Sequence, residues 1–178
     1  NLSDILLGEG WYWAAWAVWL PLFARSLLRA PWALLRESEQ LNVWLGMIVL
    51  LTLLWSLKAG VKPGLSLHLL GATVFTLSFG PQLAFVGLSL VVLGITLNGE
   101  AGYFSFAVNA LLMAGIGVMI SQAVHRLVLG SLPRHFFIYV FINGFLGSFL
   151  TVFGVGVAAA CLLAMAGTSH AADPNLAR

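Results

Sequence analysis

The sequence predicts an all-α membrane protein, a polytopic transmembrane bundle of about six helices. Hydrophobic residues make up 61% of the chain and charged residues only 8%, whereas a soluble domain carries roughly 25% charged residues. The mean hydropathy is +1.00. Long apolar stretches alternate with short polar breaks, which is typical of helices that cross a bilayer and of the loops that join them.

The polar breaks divide the chain into three parts. Residues 1–10 form an outer N-terminal segment, residues 11–166 a single transmembrane domain, and residues 167–178 a polar C-terminal tail. The predicted helices span about residues 11–28, 41–57, 65–79, 82–97, 103–129 and 135–166.

Turn-forming residues set these boundaries. Helix 1 contains Pro21, which predicts a kink, and the segment 25–40 that follows is predicted to lie at the interface. Pro63-Gly64 precedes helix 3, and Gly80-Pro81 separates helix 3 from helix 4. A turn at residues 98–102 precedes helix 5. Helix 6 is longer than one bilayer needs, so we expect tilt or an interruption near Asn143-Gly144.

The basic residues predict the orientation. Six helices place both termini on one side of the membrane. The opposite side holds more of the basic residues: Arg25, Arg29, Arg36, Arg126 and Arg134. The side of the termini holds Lys58, Lys62 and Arg178. Because basic loops stay cytoplasmic, we expect a bacterial inner-membrane protein with both termini in the periplasm. The net charge of +2 is too small and too scattered to predict a nucleic-acid partner.

His68 is the first candidate functional residue. It follows Lys62 by six residues and lies near the start of an otherwise uncharged apolar stretch. Because a polar side chain in hydrocarbon is costly, the imidazole should face a partner helix, a cavity or a ligand. It could equally donate a hydrogen bond to a carbonyl of a neighbouring helix.

The stretch around His68 also carries a family resemblance. Gly64-x-Ser66-x-His68-Leu69-Leu70-Gly71-Ala72, then Phe79-Gly80-Pro81, then Val108-Asn109-Ala110-Leu111-Leu112 resembles the cobalt/nickel substrate-binding membrane subunits of energy-coupling-factor transporters, the CbiM/NikM type. The resemblance implies that His68 ligates a divalent transition metal. Ser66 and Asn109 would support the ligand site, although Asn109 could instead bond across helices as a structural residue.

The family's other metal ligands come from a free N-terminal amine and a histidine directly after the initiator methionine. The sequence begins Asn1-Leu2-Ser3-Asp4 and has no histidine before His68, so we expect most of that N-terminal site to be absent. We therefore expect metal to bind weakly or with a changed ligand set, with Asp4 and Glu9 as possible oxygen donors.

Tryptophans mark helix 1 as a candidate docking surface. Trp13 lies in an aromatic belt at the start of the helix, whereas Trp16 and Trp19 lie one and two turns deeper. Trp16 and Trp19 could face ordered lipid, a partner protein or a flat cofactor, and all three tryptophans are candidates for docking to a partner or to lipid.

Two functions of different class follow from these features. In the first, the chain captures a metal for a transporter and relies on a coupling subunit with ATPases, because it has no nucleotide-binding motif and no catalytic motif of an enzyme. In the second, it is a non-transporting structural or accessory subunit of a larger membrane complex and docks through its Trp-rich first helix.

Overall fold

The computed structural model describes the backbone of residues 7–56, 65–99, 101–131 and 147–171. Side chains are described for residues 7–56, 71–99, 101–127 and 147–166. All regular structure in these residues is helical, which confirms the all-α prediction. In chain order the elements are α1 (Glu9–Arg29), a 3-10 helix (Trp32–Arg36), α2 (Ser38–Ser56), α3 (Leu65–Leu97), α4 (Phe106–Ala110), a π-helical segment (Leu111–Ile116), α5 (Gly117–Ser131) and α6 (Gly147–Ala171).

Four stretches of the described residues are long and apolar enough to cross a membrane. They are Ser38–Ser56, Gly71–Leu97, Phe106–Leu127 and Gly147–Ala166. The chain is therefore an integral membrane protein by length and composition of its helices, but the predicted count of about six is not confirmed. Helix α1 is not among the four.

Helix α1 is longer than predicted at both ends. It begins at Glu9 and ends at Arg29, so an acidic residue lies in the first turn and a basic one in the last, as the helix dipole favours. Pro21 lies inside this helix. Ala30 ends it in an extended conformation, φ −64° and ψ 137°, because the ring of the following Pro31 disfavours a helical residue before it.

Helix α3 reverses its direction at Gly80. The residue has φ 78° and ψ 168°, which is not helical. In a straight helix Phe75 and Gly87 would lie about 18 Å apart, yet a Cβ added at Gly87 would be 2.5 Å from Cζ of Phe75. Gly71 and Gly94 likewise approach neighbouring residues of α2, namely Leu51 and Thr52. The two arms of α3 therefore form an antiparallel hairpin.

The reversal confirms the predicted break at Gly80-Pro81. A conformation with positive φ and ψ near 180° is essentially restricted to glycine. Pro81 is well suited to start the second arm, since its missing N–H would have no helical acceptor there. Helix α2 packs on the hairpin through Trp44, whose Nε1–H donates to the carbonyl oxygen of Leu83 at 3.3 Å.

The helix predicted over about residues 103–129 contains a π-helical segment. The helical backbone begins at Phe106 and widens into this segment at Leu111–Ile116 before it continues as α5. Gly115 lies inside this segment and Gly117 directly follows it. Both lack a side chain that would favour the regular α-helical backbone.

Helix α6 differs from its prediction at the C-terminal end. It continues to Ala171, into the stretch predicted as a polar tail, because no proline interrupts the helix before Pro174. The predicted start near His135 and the predicted interruption at Asn143-Gly144 lie outside the described residues.

The hairpin occupies the centre of the described fold. Its side chains Phe75, Leu83, Leu88 and Ile95 are fully buried and pack with residues of α1, α2 and α4 in one large cluster. A second, smaller cluster joins the start of α1 to the π-helical segment and α6. The short elements after the hairpin are thereby held against its two arms.

Candidate functional site

His68 is the fourth residue of α3, on the first arm of the hairpin. Residues three, four and seven positions later share its helix face. These are Gly71, Ala72 and Phe75, all of which are buried. His68 therefore belongs to the register of the face that packs inside the fold. The side chains of His68 and Ser66 lie outside the described set.

Gly71 lets α2 approach this part of the hairpin closely. A Cβ at Gly71 would collide with the side chain of Leu51 on α2. Small residues at helix interfaces allow such close approach in membranes, where no hydrophobic force drives helices together. The glycine of the HLLG pattern thus lets the first arm of the hairpin pack closely on α2, three residues beyond His68.

Asn109 lies at the C-terminal end of α4 and is 1% exposed. Its Nδ2 donates to Oγ of Ser105 at 3.4 Å, and that hydroxyl donates in turn to the carbonyl oxygen of Gly102 at 3.0 Å. The π-helical segment begins two residues later. A π-helical turn often marks a functional site. Apart from a cluster of small residues, no pattern in the sequence predicts this segment.

A cluster of three buried hydroxyls joins the hairpin to α5 and α6. Oγ1 of Thr73 lies 3.0 Å from Oγ of Ser121, which lies 3.3 Å from Oγ1 of Thr151. Each of the three residues is at most 1% exposed. Thr73 is five residues beyond His68, about 8 Å along the helix axis, so the cluster meets the hairpin on the arm that carries His68.

The hydroxyl cluster has more contacts than protons. Ser121 also donates to the carbonyl oxygen of Gly117, and Thr151 donates to that of Gly147, both at 2.8 Å. Three hydroxyl protons therefore face four hydrogen-bond contacts, because each hydroxyl carries one proton. Thr73, Ser121 and Thr151 are not among the candidate residues that the sequence indicated. Their signal is a hydroxyl in an otherwise apolar helix, and such a hydroxyl can also bond to a carbonyl of its own helix.

The tryptophans of α1 divide between surface and interior. Trp13 is 69% exposed. Trp19 is buried, stacks on Phe23 with ring centroids 4.6 Å apart, and meets Phe106 of α4 edge-on at 5.1 Å. Trp16 is half-buried and contacts the same Phe106 ring at 5.5 Å. Within this chain the rings of Trp16 and Trp19 hold α1 against α4.

The acidic, histidine and cysteine side chains are dispersed in the described part of the chain. Within the described side chains no three of them are grouped as a metal ion would require. His125 is half-buried on α5, and His135 lies outside the described residues. His68 is the candidate ligand that the family resemblance singled out, and its imidazole is not among the side chains that this observation covers.

Comparison with known proteins gives one match. A family model described as CbiM, cobalt uptake substrate-specific transmembrane region, matches residues 1–177, which is nearly the whole chain. No curated protein sequence and no solved structure matches the chain.

Proposed function

Because this chain belongs to the CbiM family of cobalt uptake substrate-specific transmembrane regions, we propose that it captures a divalent transition-metal ion, cobalt or nickel, as the cargo of a transporter. His68 supplies an imidazole nitrogen to the ion. Neutral imidazole is the commonest metal ligand in proteins and suits first-row ions of this kind. Ser66 and Asn109 support the site.

The register of His68 carries this proposal. The residue shares its helix face with the buried Gly71 and Ala72, which supports a ligand position on the face of α3 that packs against other helices. A histidine placed inside a membrane bundle is typical of substrate and ion pathways. Asn109, buried directly before the π-helical segment, is the polar group best placed to adjust the helix around the cargo.

The chain needs partners to move its cargo. Its sequence contains no nucleotide-binding motif, so energy comes from a separate coupling subunit with ATPases. The charge count of the loops supports a location in a bacterial inner membrane with both termini in the periplasm. In that orientation His68 lies near the outer face, where an uptake protein meets its cargo.

Metal titration of the purified protein tests the role of His68. We expect Co²⁺ or Ni²⁺ to bind with an affinity that falls at least tenfold in His68→Ala, because one nitrogen donor is lost. His125→Ala is the matched control, since it removes a half-buried histidine from α5, and it should leave the affinity unchanged. Equal metal affinity of the wild type and His68→Ala, with thermal unfolding unchanged, would refute the assignment.

The exposure of Trp13 favours a second candidate function. Its ring is 69% exposed on α1, which leaves it available to a partner in a larger membrane complex that the chain would serve as an accessory subunit. Trp16 and Trp19 are already engaged with Phe106, so this docking function rests on Trp13. Copurification in mild detergent separates the two: an ATPase pair supports transport, and a different complex that is lost in Trp13→Ala supports the accessory role.

A further inference from the structure

A cavity opens where α1 ends beside the tip of the hairpin and the start of α5. Its volume is about 240 Å³. Three separate parts of the chain line it: the last two turns of α1, the residues directly after the Gly80 reversal, and residues 115–119. The lining residues that matter here are Arg25, Ser26 and Arg29 of α1, Gln82 and Phe85 of the hairpin, and Val118.

Arg25 and Arg29 give this cavity a positive charge. They are one helical turn apart, so their Cβ atoms lie about 5–6 Å from each other on the same face of α1. Both side chains are exposed. None of the Asp and Glu side chains that the structure describes lines the cavity, and neither guanidinium has an ion pair with one of them. The negative end of the α1 dipole offsets only about half a unit charge.

The rest of the lining is mostly apolar. On α1 it includes Leu22, which lies about 10 Å along the helix axis from Arg29. Phe85, Val118 and Met119 continue the apolar wall on the neighbouring helices. Ser26 and Gln82 add neutral hydrogen-bonding groups. A ligand that fits this lining has an anionic head and an aliphatic body.

We propose that this cavity binds the headgroup of an anionic phospholipid of the surrounding membrane. Guanidinium groups match phosphate oxygens in bidentate pairs, and basic pockets between transmembrane helices are known to receive anionic headgroups. Arg25 and Arg29 hold the phosphate, Ser26 or Gln82 donates a further hydrogen bond, and the first carbons of the acyl chains lie on Phe85 and Val118.

Such a lipid ties three elements together at one point. Residues of α1 and of the hairpin tip line the cavity together. The tip residues are Pro81 and Gln82, which directly follow the reversal at Gly80. A bound headgroup would neutralise the two arginines and bridge α1 to the tip. Because a ligand that binds only the folded state stabilises it, the lipid should raise the resistance of the protein to unfolding.

Lipid titration in detergent tests this proposal. Thermal unfolding is followed by tryptophan fluorescence while phosphatidylglycerol, or phosphatidylcholine with the same acyl chains, is added. We expect phosphatidylglycerol alone to raise the midpoint, and half-saturation to need at least tenfold more of it in Arg25→Gln/Arg29→Gln. Arg25→Lys/Arg29→Lys should fall between the two, because lysine keeps the charge but loses the bidentate geometry.

Controls separate the site from general attraction to charge. Arg36→Gln/Arg126→Gln removes two exposed arginines that do not line the cavity and should leave the phosphatidylglycerol effect intact. Inorganic phosphate at the same concentration should have no effect. The proposal is overturned if phosphatidylcholine stabilises equally, if phosphate alone reproduces the effect, or if the Arg25/Arg29 double variant responds like the wild type. Loss of a copurifying coupling subunit in that variant, without lipid selectivity, would also overturn it.

Discussion

Replacement of Gly80 by alanine should destabilise the hairpin through the backbone alone. A Cβ at this position would meet nothing within 4 Å, so no side-chain clash is involved. The residue nevertheless has φ 78° and ψ 168°, and holding a non-glycine residue in that region costs about 1–3 kcal/mol. Gly80→Ala should therefore lower the free energy of unfolding by about that amount.

The matched control is Gly46→Ala in the middle of α2. A Cβ there also meets nothing within 4 Å, but the backbone is helical, so alanine should stabilise the protein by about 0.4–1 kcal/mol. The free energies of unfolding of the two variants should thus lie on opposite sides of the wild-type value and differ by about 1.4–4 kcal/mol.

Thermal unfolding in detergent, monitored by the fluorescence of the 7 tryptophans, measures the difference. For a chain of this size a change of 1 kcal/mol corresponds to a shift of roughly 2–4 °C in Tm, so Gly80→Ala should unfold about 2–12 °C earlier and Gly46→Ala slightly later. A Tm of Gly80→Ala at or above that of the wild type would refute the argument that positive φ at this residue sets the reversal.

Three further variants test contacts of the hairpin in the same unfolding assay. Gly87→Ala would place a Cβ 2.5 Å from the Phe75 ring and should cost about 1–3 kcal/mol, with part of the loss recovered by adding Phe75→Leu. Ser121→Ala removes the hydroxyl that faces Thr73 at 3.0 Å and should cost about 0.6–1.7 kcal/mol. Trp44→Phe removes the buried N–H donor to the second arm at 3.3 Å and should cost about 0.5–1.5 kcal/mol.

For each of these variants, one outcome would contradict the prediction. If Phe75→Leu fails to rescue Gly87→Ala, the two residues are not in contact across the hairpin. A fully additive double variant of Ser121→Ala with Thr73→Val would show that the two hydroxyls do not interact. Unchanged stability of Trp44→Phe would mean that the bond to the hairpin carbonyl contributes nothing.

The sequence predicted those parts of the fold that depend on local chemistry. Gly80-Pro81 was readable as a break because glycine permits the backbone angles and proline starts the next helix. The end of α1 could be placed only approximately. Helical propensity continues through Arg29, and it is the backbone restriction imposed by Pro31 that stops the helix one residue later.

The parts that depend on contacts between distant residues could not be predicted. Nothing in the residues around Thr73 indicates that its hydroxyl meets Ser121 and not a carbonyl of its own helix, since both arrangements satisfy the group. The burial of Trp19 depends on Phe106, which lies 87 positions later in the chain. His68 could be singled out because an imidazole is conspicuous in an apolar stretch, whereas hydroxyls are common there.

The π-helical segment offsets α5 from α4 around their shared axis. A π-turn takes up one more residue than an α-turn without completing a further turn, and one residue of α-helix corresponds to a rotation of about 100°. Asn109 and Ser121 lie on either side of this wide turn. Deleting one residue within 111–116 should therefore restore a continuous α-helix and keep Ser121 on the same side relative to Asn109. A continuous α-helix with all residues retained would instead rotate Ser121 by about 100°, away from Thr73 and Thr151. The one residue that the wide turn absorbs thus decides which neighbours Ser121 meets.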